Sequence, residues 1–187
     1  MRSVSVPVTV ADRPETSREA TPAPPCTMVI FGVTGDLSRR KLLPALFHLL
    51  RDGLLHDRSR VVGVGRDPMS DEAFAELAVE AVRKSREAEG ADADTCRRFA
   101  KRIAYVGGDP SELATHEAIG KRLAEWETGA GGEEALGRLF YLALPPSVYQ
   151  AVVEQLSESG LAPRRDDPTE RSWVRLIVEK PFGRSLE

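Results

Sequence analysis

The feature that most restricts this chain is a repeated alternation. Short, almost unbroken apolar runs, too brief to be helices, are each followed by a longer stretch with helical spacing. Residues 27–33 (TMVIFGV), 59–65 (SRVVGVG), 103–106 (IAYV), 139–144 (LFYLAL) and 173–179 (WVRLIVE) read as strands covered on both faces. Between them, residues 37–52 place Leu42, Leu43, Leu46, Leu49 and Leu50 at helical intervals, with Gly53 as a stop. Ser70 is a suitable N-cap for a helix from 71 to about 89, and further helices are expected over 92–102, 111–128 and 147–157. Residues 129–132 form a glycine-rich joint and 164–171 a polar loop. Strands joined by helical crossovers cannot pair as hairpins and must run parallel. The expectation is therefore α/β: one Rossmann-like domain built on a doubly wound parallel sheet.

At 187 residues the chain has room for one such domain and little more. Residues 1–25 fall outside the alternation. They mix both charge signs with Ser, Thr and Pro, and Pro7, Thr9 and Asp12 interrupt what would have to be an apolar targeting core. A disordered tail is expected there, with the domain occupying 26–187. The 26 basic and 29 acidic residues give a net charge of −3, which draws the chain neither to nucleic acid nor to an anionic membrane. No apolar run is long enough to cross a bilayer. Cys26 and Cys96 follow no metal-ligand spacing and read as idle thiols of a cytoplasmic protein. His48, His56 and His116 are scattered, so no metal site and no catalytic histidine pair is expected; packed or solvated side chains fit them better.

Ligands of such sheets bind beyond the carboxyl ends of the strands, so the first strand-to-helix turn is the first candidate site. It reads Gly32-Val33-Thr34-Gly35-Asp36-Leu37-Ser38-Arg39. Gly32 permits a sharp exit from the strand, and Gly35 lets the backbone approach a pyrophosphate at the helix N-terminus. Asp36 would repel a phosphate and is expected instead to accept hydrogen bonds from the first helical turn. Two glycines alone would equally suit a plain tight turn, and the third glycine of the usual dinucleotide pattern is missing. Gly63-Val64-Gly65 reads as small residues at a strand end. Arg66 adds weight: it follows the second strand, where an NAD-selective protein carries an acid for the ribose hydroxyl. A guanidinium there suits a 2′-phosphate, pointing to NADP, although Asp67 beside it weakens the preference.

The motifs taken together resemble the glucose-6-phosphate dehydrogenase family. GVTGDLSRRKLLPAL at 32–46, GR at 65–66 with SDEAF at 70–74, YVGGD at 105–109, RLFYLALPPSVY at 138–149 and IVEKPFGR at 177–184 follow the family's order. The resemblance implies that Gly32, Val33, Thr34, Gly35, Asp36, Leu37, Ser38 and Arg39 wrap the cofactor pyrophosphate. It also implies that Arg66 binds the 2′-phosphate, that Tyr149 lines the cofactor groove, and that Lys180 touches both NADP and the sugar phosphate. Pro44 inside the first helix has a counterpart in the family, implying a bent or interrupted helix.

The same resemblance implies oxidation of glucose 6-phosphate to its lactone in the pentose phosphate pathway. Such chemistry needs a general base for the C1 hydroxyl. In the family that histidine comes from an RIDHYLGK motif and the substrate's other partners from a C-terminal α+β domain; these 187 residues carry neither. No catalytic residue is therefore expected within this chain, and alone it is expected to bind NADP without turning over sugar. The alternative is a free-standing NADP-binding module that pairs with, or regulates, a separate catalytic half. Self-association is left open.

Overall fold

The structure is a computed structural model that describes residues 22–85, 91–129, 136–162 and 173–179. Its framework is a five-stranded, wholly parallel sheet in the order β3-β2-β1-β4-β5. The strands are β1 (Cys26–Phe31), β2 (Arg60–Gly65), β3 (Ile103–Gly107), β4 (Gly137–Leu142) and β5 (Val174–Val178). The expected doubly wound architecture is what forms, because alternate residues of each strand feed two separate cores. Ile30, Val61, Ile103 and Tyr105 face one helical layer, while Val29, Phe31, Val62, Val64, Val106 and Phe140 face the other.

The first layer holds α1 (Leu43–Arg51), α2 (Asp71–Lys84) and α3 (Ala93–Ala100); the second holds α4 (Leu113–Gly129) and α5 (Tyr149–Glu158). The helix carrying Pro44 is interrupted, as expected, and the interruption has a definite form. Ser38–Leu42 make one turn of π-helix, and the N–H of Leu43 reaches back to the Ser38 carbonyl before α1 begins. A proline cannot donate to the carbonyl four residues earlier and its ring crowds it; the wider turn takes up that misfit.

Three of the boundaries that differ from the sequence reading have a visible cause. Strand β4 starts at Gly137 rather than 139: the N–H of Gly137 bonds the Pro25 carbonyl at 3.1 Å, and the Trp173 ring fills the place of its side chain. Helix α2 ends at Lys84, not near 89, because the Ser85 hydroxyl turns back onto the Val82 carbonyl at 2.7 Å and its backbone is extended. Helix α4 starts two residues late, since Asp109 holds Ser111 in a side-chain turn. The Ser70 cap forms as expected, accepting from the N–H of Ala73 at 3.2 Å. Residues 1–21 of the expected 1–25 tail, residues 86–89, the joint beyond Gly129, the loop at 164–171 and the Lys180-Pro181-Phe182-Gly183 segment lie outside the described residues.

His116 is fully buried in α4, stacked on Phe31 with centroids 5.5 Å apart, and its Nε2 lies 2.8 Å from the Pro110 carbonyl. Burial pushes its pKa below the ordinary 6.5, and the Pro110 contact offsets this only in part. The unfolded chain therefore binds a proton that the folded one resists, so this stabilisation is present above the unfolded pKa and lost as the pH falls through it. Melting temperatures followed downward from pH 8 are expected to drop below about pH 6.5. His116→Gln, which cannot titrate, is expected to flatten that part of the decline. Parallel curves for the two proteins would assign the decline to other groups.

Candidate cofactor cleft

The order of the sheet reverses between β1 and β4, and a crevice at their carboxyl ends is where ligands of such folds bind. The glycine turn leaves β1 there. Gly32 has φ of +79°, and a Cβ on it would run into the Ala143 carbonyl oxygen beyond β4. The N–H of Ala143 in turn donates to the Phe31 carbonyl at 3.0 Å. The turn and the Leu142-Ala143-Leu144-Pro145-Pro146 segment are thus pressed together at the switch point.

The turn's own hydrogen bonds decide which donors remain. The N–H groups of Gly32 and Val33 both donate to the Val64 carbonyl, at 2.9 and 3.1 Å, and that of Gly35 donates to the Gly32 carbonyl at 3.0 Å. The Ser38 hydroxyl also closes on the Gly32 carbonyl at 3.0 Å. Among the described residues, this leaves the amides of Thr34, Asp36, Leu37 and Ser38 without a backbone acceptor, as the first turn of a helix must. An oxyanion placed at that helix start meets aligned N–H groups and the positive end of the helix dipole. The residues present therefore fit a pyrophosphate.

Individual side chains divide differently from the sequence reading. Val33 and Ser38 are fully buried, so they shape the turn from below. Asp36 does not cap the helix: its carboxylate is exposed and faces Arg40 at 3.4 Å, one helical turn on. Because residue 36 already lies in the helix, its side chain projects from the helix surface toward Arg40 and does not lie across the helix start, where a cap accepts from the first amides. Arg39 is exposed and, with Thr34, Arg40, Lys41, Lys84 and Ser85, lines a cleft of about 960 Å³ between the helix start and the end of α2. The cleft wall is markedly cationic, although Arg40 and Lys84 already pair with Asp36 and Glu80.

Arg66 is exposed and follows β2 directly, on the same end of the sheet as the glycine turn. The two are neighbours, since a Cβ on Gly65 would lie 3.3 Å from the Thr34 side chain. The Gly63 and Gly65 pair is a packing device, as read from the sequence: side chains there would strike Phe74 and the Tyr105 hydroxyl. Asp109 lies near enough that the Arg66 charge helps, in the smallest measure after its bonds to Ser111, to hold its carboxyl below the usual range. Tyr149, half-buried at the start of α5, packs on the second core.

Two contacts near the cleft had no role in the sequence reading. The Tyr141 hydroxyl, on β4, donates to the carboxylate of Glu179 at the end of β5, and burial together with that carboxylate pushes its pKa up to about 12. On the other side of the crevice, the Tyr105 hydroxyl donates to the Asp67 carbonyl at 2.7 Å. Both tyrosines stand inside motifs legible in the sequence, but partners 38 residues away are not.

A family model described as the glucose-6-phosphate dehydrogenase NAD-binding domain matches residues 29–187. The chain belongs to the glucose-6-phosphate dehydrogenase family. A glucose-6-phosphate 1-dehydrogenase of Chlamydia pneumoniae is 36% identical over 164 residues, which is 88% of this chain and 31% of the relative. Glucose-6-phosphate 1-dehydrogenase 2 of Mycobacterium bovis is 37% identical, covering 88% of this chain and 30% of the relative. A solved glucose-6-phosphate dehydrogenase in complex with its substrate glucose-6-phosphate superposes with a TM-score of 0.72 at 32% identity, over 87% of this chain and 32% of that one. The chain thus spans about a third of the length of the curated relatives it matches. What the family membership supports directly is a nicotinamide dinucleotide-binding domain of an oxidoreductase. Among the described residues no helix is long and apolar enough to cross a membrane, and no group of His, Cys, Asp and Glu is arranged to hold a metal.

Proposed function

We propose that this chain is the cofactor-binding portion of a glucose-6-phosphate dehydrogenase and that it takes NADP in preference to NAD. The observation that carries this reading is the set of unused amides at Thr34, Asp36, Leu37 and Ser38 next to an exposed arginine after β2. The amides would hold the pyrophosphate and Arg66 the 2′-phosphate by charge-assisted hydrogen bonds. Tyr149 would line the groove, and Lys180 would reach both the cofactor and the sugar phosphate. When bound, the nicotinamide supplies the hydride acceptor for oxidation at C1 of glucose 6-phosphate. The two cysteines, free and buried, suit a cytoplasmic protein.

The 187 residues alone are expected to bind and not to turn over. The reaction needs a base within hydrogen-bond reach of the C1 hydroxyl, and His116 is sealed in the second core. Calorimetric titration of the chain with NADP and NAD tests the first part, with NADP expected to bind at least about tenfold more tightly, the equivalent of one retained charged contact. Equal affinities would remove the 2′-phosphate assignment. Spectrophotometric assay of NADP reduction with glucose 6-phosphate tests the second; measurable turnover by the isolated chain would show that a base had been overlooked.

A further inference from the structure

The guanidinium of Arg66 has no hydrogen-bond or ion-pair partner among the described residues, so its aim is set by the backbone that carries it. On the β3 side that backbone is held at two points: before Arg66 the Gly65 carbonyl accepts from the N–H of Gly108 at 2.9 Å, and after it a single phenol holds the turn. Tyr105 on β3 pairs in register with Gly63, and its ring runs toward the end of β2, where the missing side chain of Gly65 leaves room for the hydroxyl. The hydroxyl donates to the Asp67 carbonyl at 2.7 Å. The backbone N–H of the same residue donates to the Asp71 carboxylate at 2.7 Å, and Asp71, which opens α2, also pairs with Arg122 at 3.2 Å. Gly107 completes the seat: a Cβ there would stand 3.2 Å from Cα of Pro68 and 3.4 Å from the Asp67 carbonyl. Residues 66–68 thus lie over a glycine floor, tied to one tyrosine through Asp67 and, a few residues on, through Asp71. Burial first, and then the Asp67 charge, raise the phenol further above its ordinary 10, so it remains a donor.

We propose that Tyr105 is the positioning residue for Arg66: its hydroxyl fixes the 66–68 turn so that the guanidinium faces the 2′-phosphate of the cofactor. This rests on the cofactor reading above. Tyr105 itself touches no ligand; it acts through the Asp67 carbonyl, and its contribution is to NADP selectivity.

The test compares wild-type chain, Tyr105→Phe, Arg66→Ala and the double variant by calorimetry with NADP and with NAD. Tyr105→Phe keeps the ring and removes the one hydrogen bond. It is expected to weaken NADP by about threefold to tenfold and NAD by less than about twofold. In the Arg66→Ala background the same substitution is expected to cost no further NADP affinity, because the group it aims is gone. An equal loss for both dinucleotides, an undiminished loss without Arg66, or no loss at all would each overturn the proposal. Backbone order parameters supply a readout that needs no ligand. At Arg66 and Asp67 they are expected to fall in Tyr105→Phe from the rigid range of about 0.85 toward about 0.6, while those of β1 and β4 hold. A wild-type chain that bound neither dinucleotide would remove the cofactor reading and with it the aim at a 2′-phosphate. Unchanged order parameters would separately overturn the hold of the hydroxyl on the turn.

Discussion

Arg66→Ala is expected to weaken NADP binding by roughly thirtyfold, about 2 kcal/mol, while leaving NAD within about twofold of wild type. The size follows from one arginine making paired, charge-assisted hydrogen bonds to a phosphate, reduced because the side chain is exposed and partly screened. Raised salt is expected to narrow the gap between the two proteins for the same reason. Arg66→Lys is expected to recover only part of the loss, since an ammonium keeps the charge without the planar fork. The substitution leaves a solvated surface, so thermal unfolding is expected to be unchanged. Titration of both variants with NADP and NAD decides it. A similar loss for NAD would show that the arginine serves the shared adenosine or the pyrophosphate, not the 2′-phosphate.

Gly32→Ala is expected to destabilise the domain by about 3 kcal/mol, read from urea unfolding midpoints, and to abolish dinucleotide binding in whatever remains folded. Two penalties combine. The φ of +79° is costly for any residue with a Cβ, by about 1–2 kcal/mol, and the added methyl would also be driven into the Ala143 carbonyl. The turn cannot simply move, because the amides of Gly32 and Val33 are bonded to the Val64 carbonyl of β2 and the Ser38 hydroxyl to the Gly32 carbonyl. Gly53 provides the control: its φ is +69° but nothing lies within 4 Å of the place of its side chain. Gly53→Ala is therefore expected to show the backbone cost alone, about 1 kcal/mol. If the two variants lost the same stability, the close approach of Ala143 would contribute nothing.

The division of roles around the glycine turn shows how far residue types and spacing reach. That a turn with Gly32 and Gly35 would sit against a helix start, and that Arg66 would lie on the same end of the sheet, followed from strand and helix periods alone. The fate of Asp36 did not. A carboxylate after a glycine turn suits a cap, but here the helix has already begun at that residue, and a one-residue difference in the start of a helix rotates a side chain by about a quarter turn. Ser38 divides its parts in a way residue type does not reveal: its side chain is buried with the hydroxyl on the Gly32 carbonyl, while its amide has no backbone acceptor.

The sequence by itself determined the parallel α/β architecture, the two-sided burial of its strands and the place of the glycine turn. Each of these is encoded in intervals of two to four residues, where backbone geometry fixes which side chains share a face. The tertiary structure alone decided which amides stay free, that Glu179 answers to Tyr141, and that the loop bearing Arg66 hangs from the hydroxyl of Tyr105. Those depend on where a crossover returns the chain after more than thirty residues, and no local period carries that information.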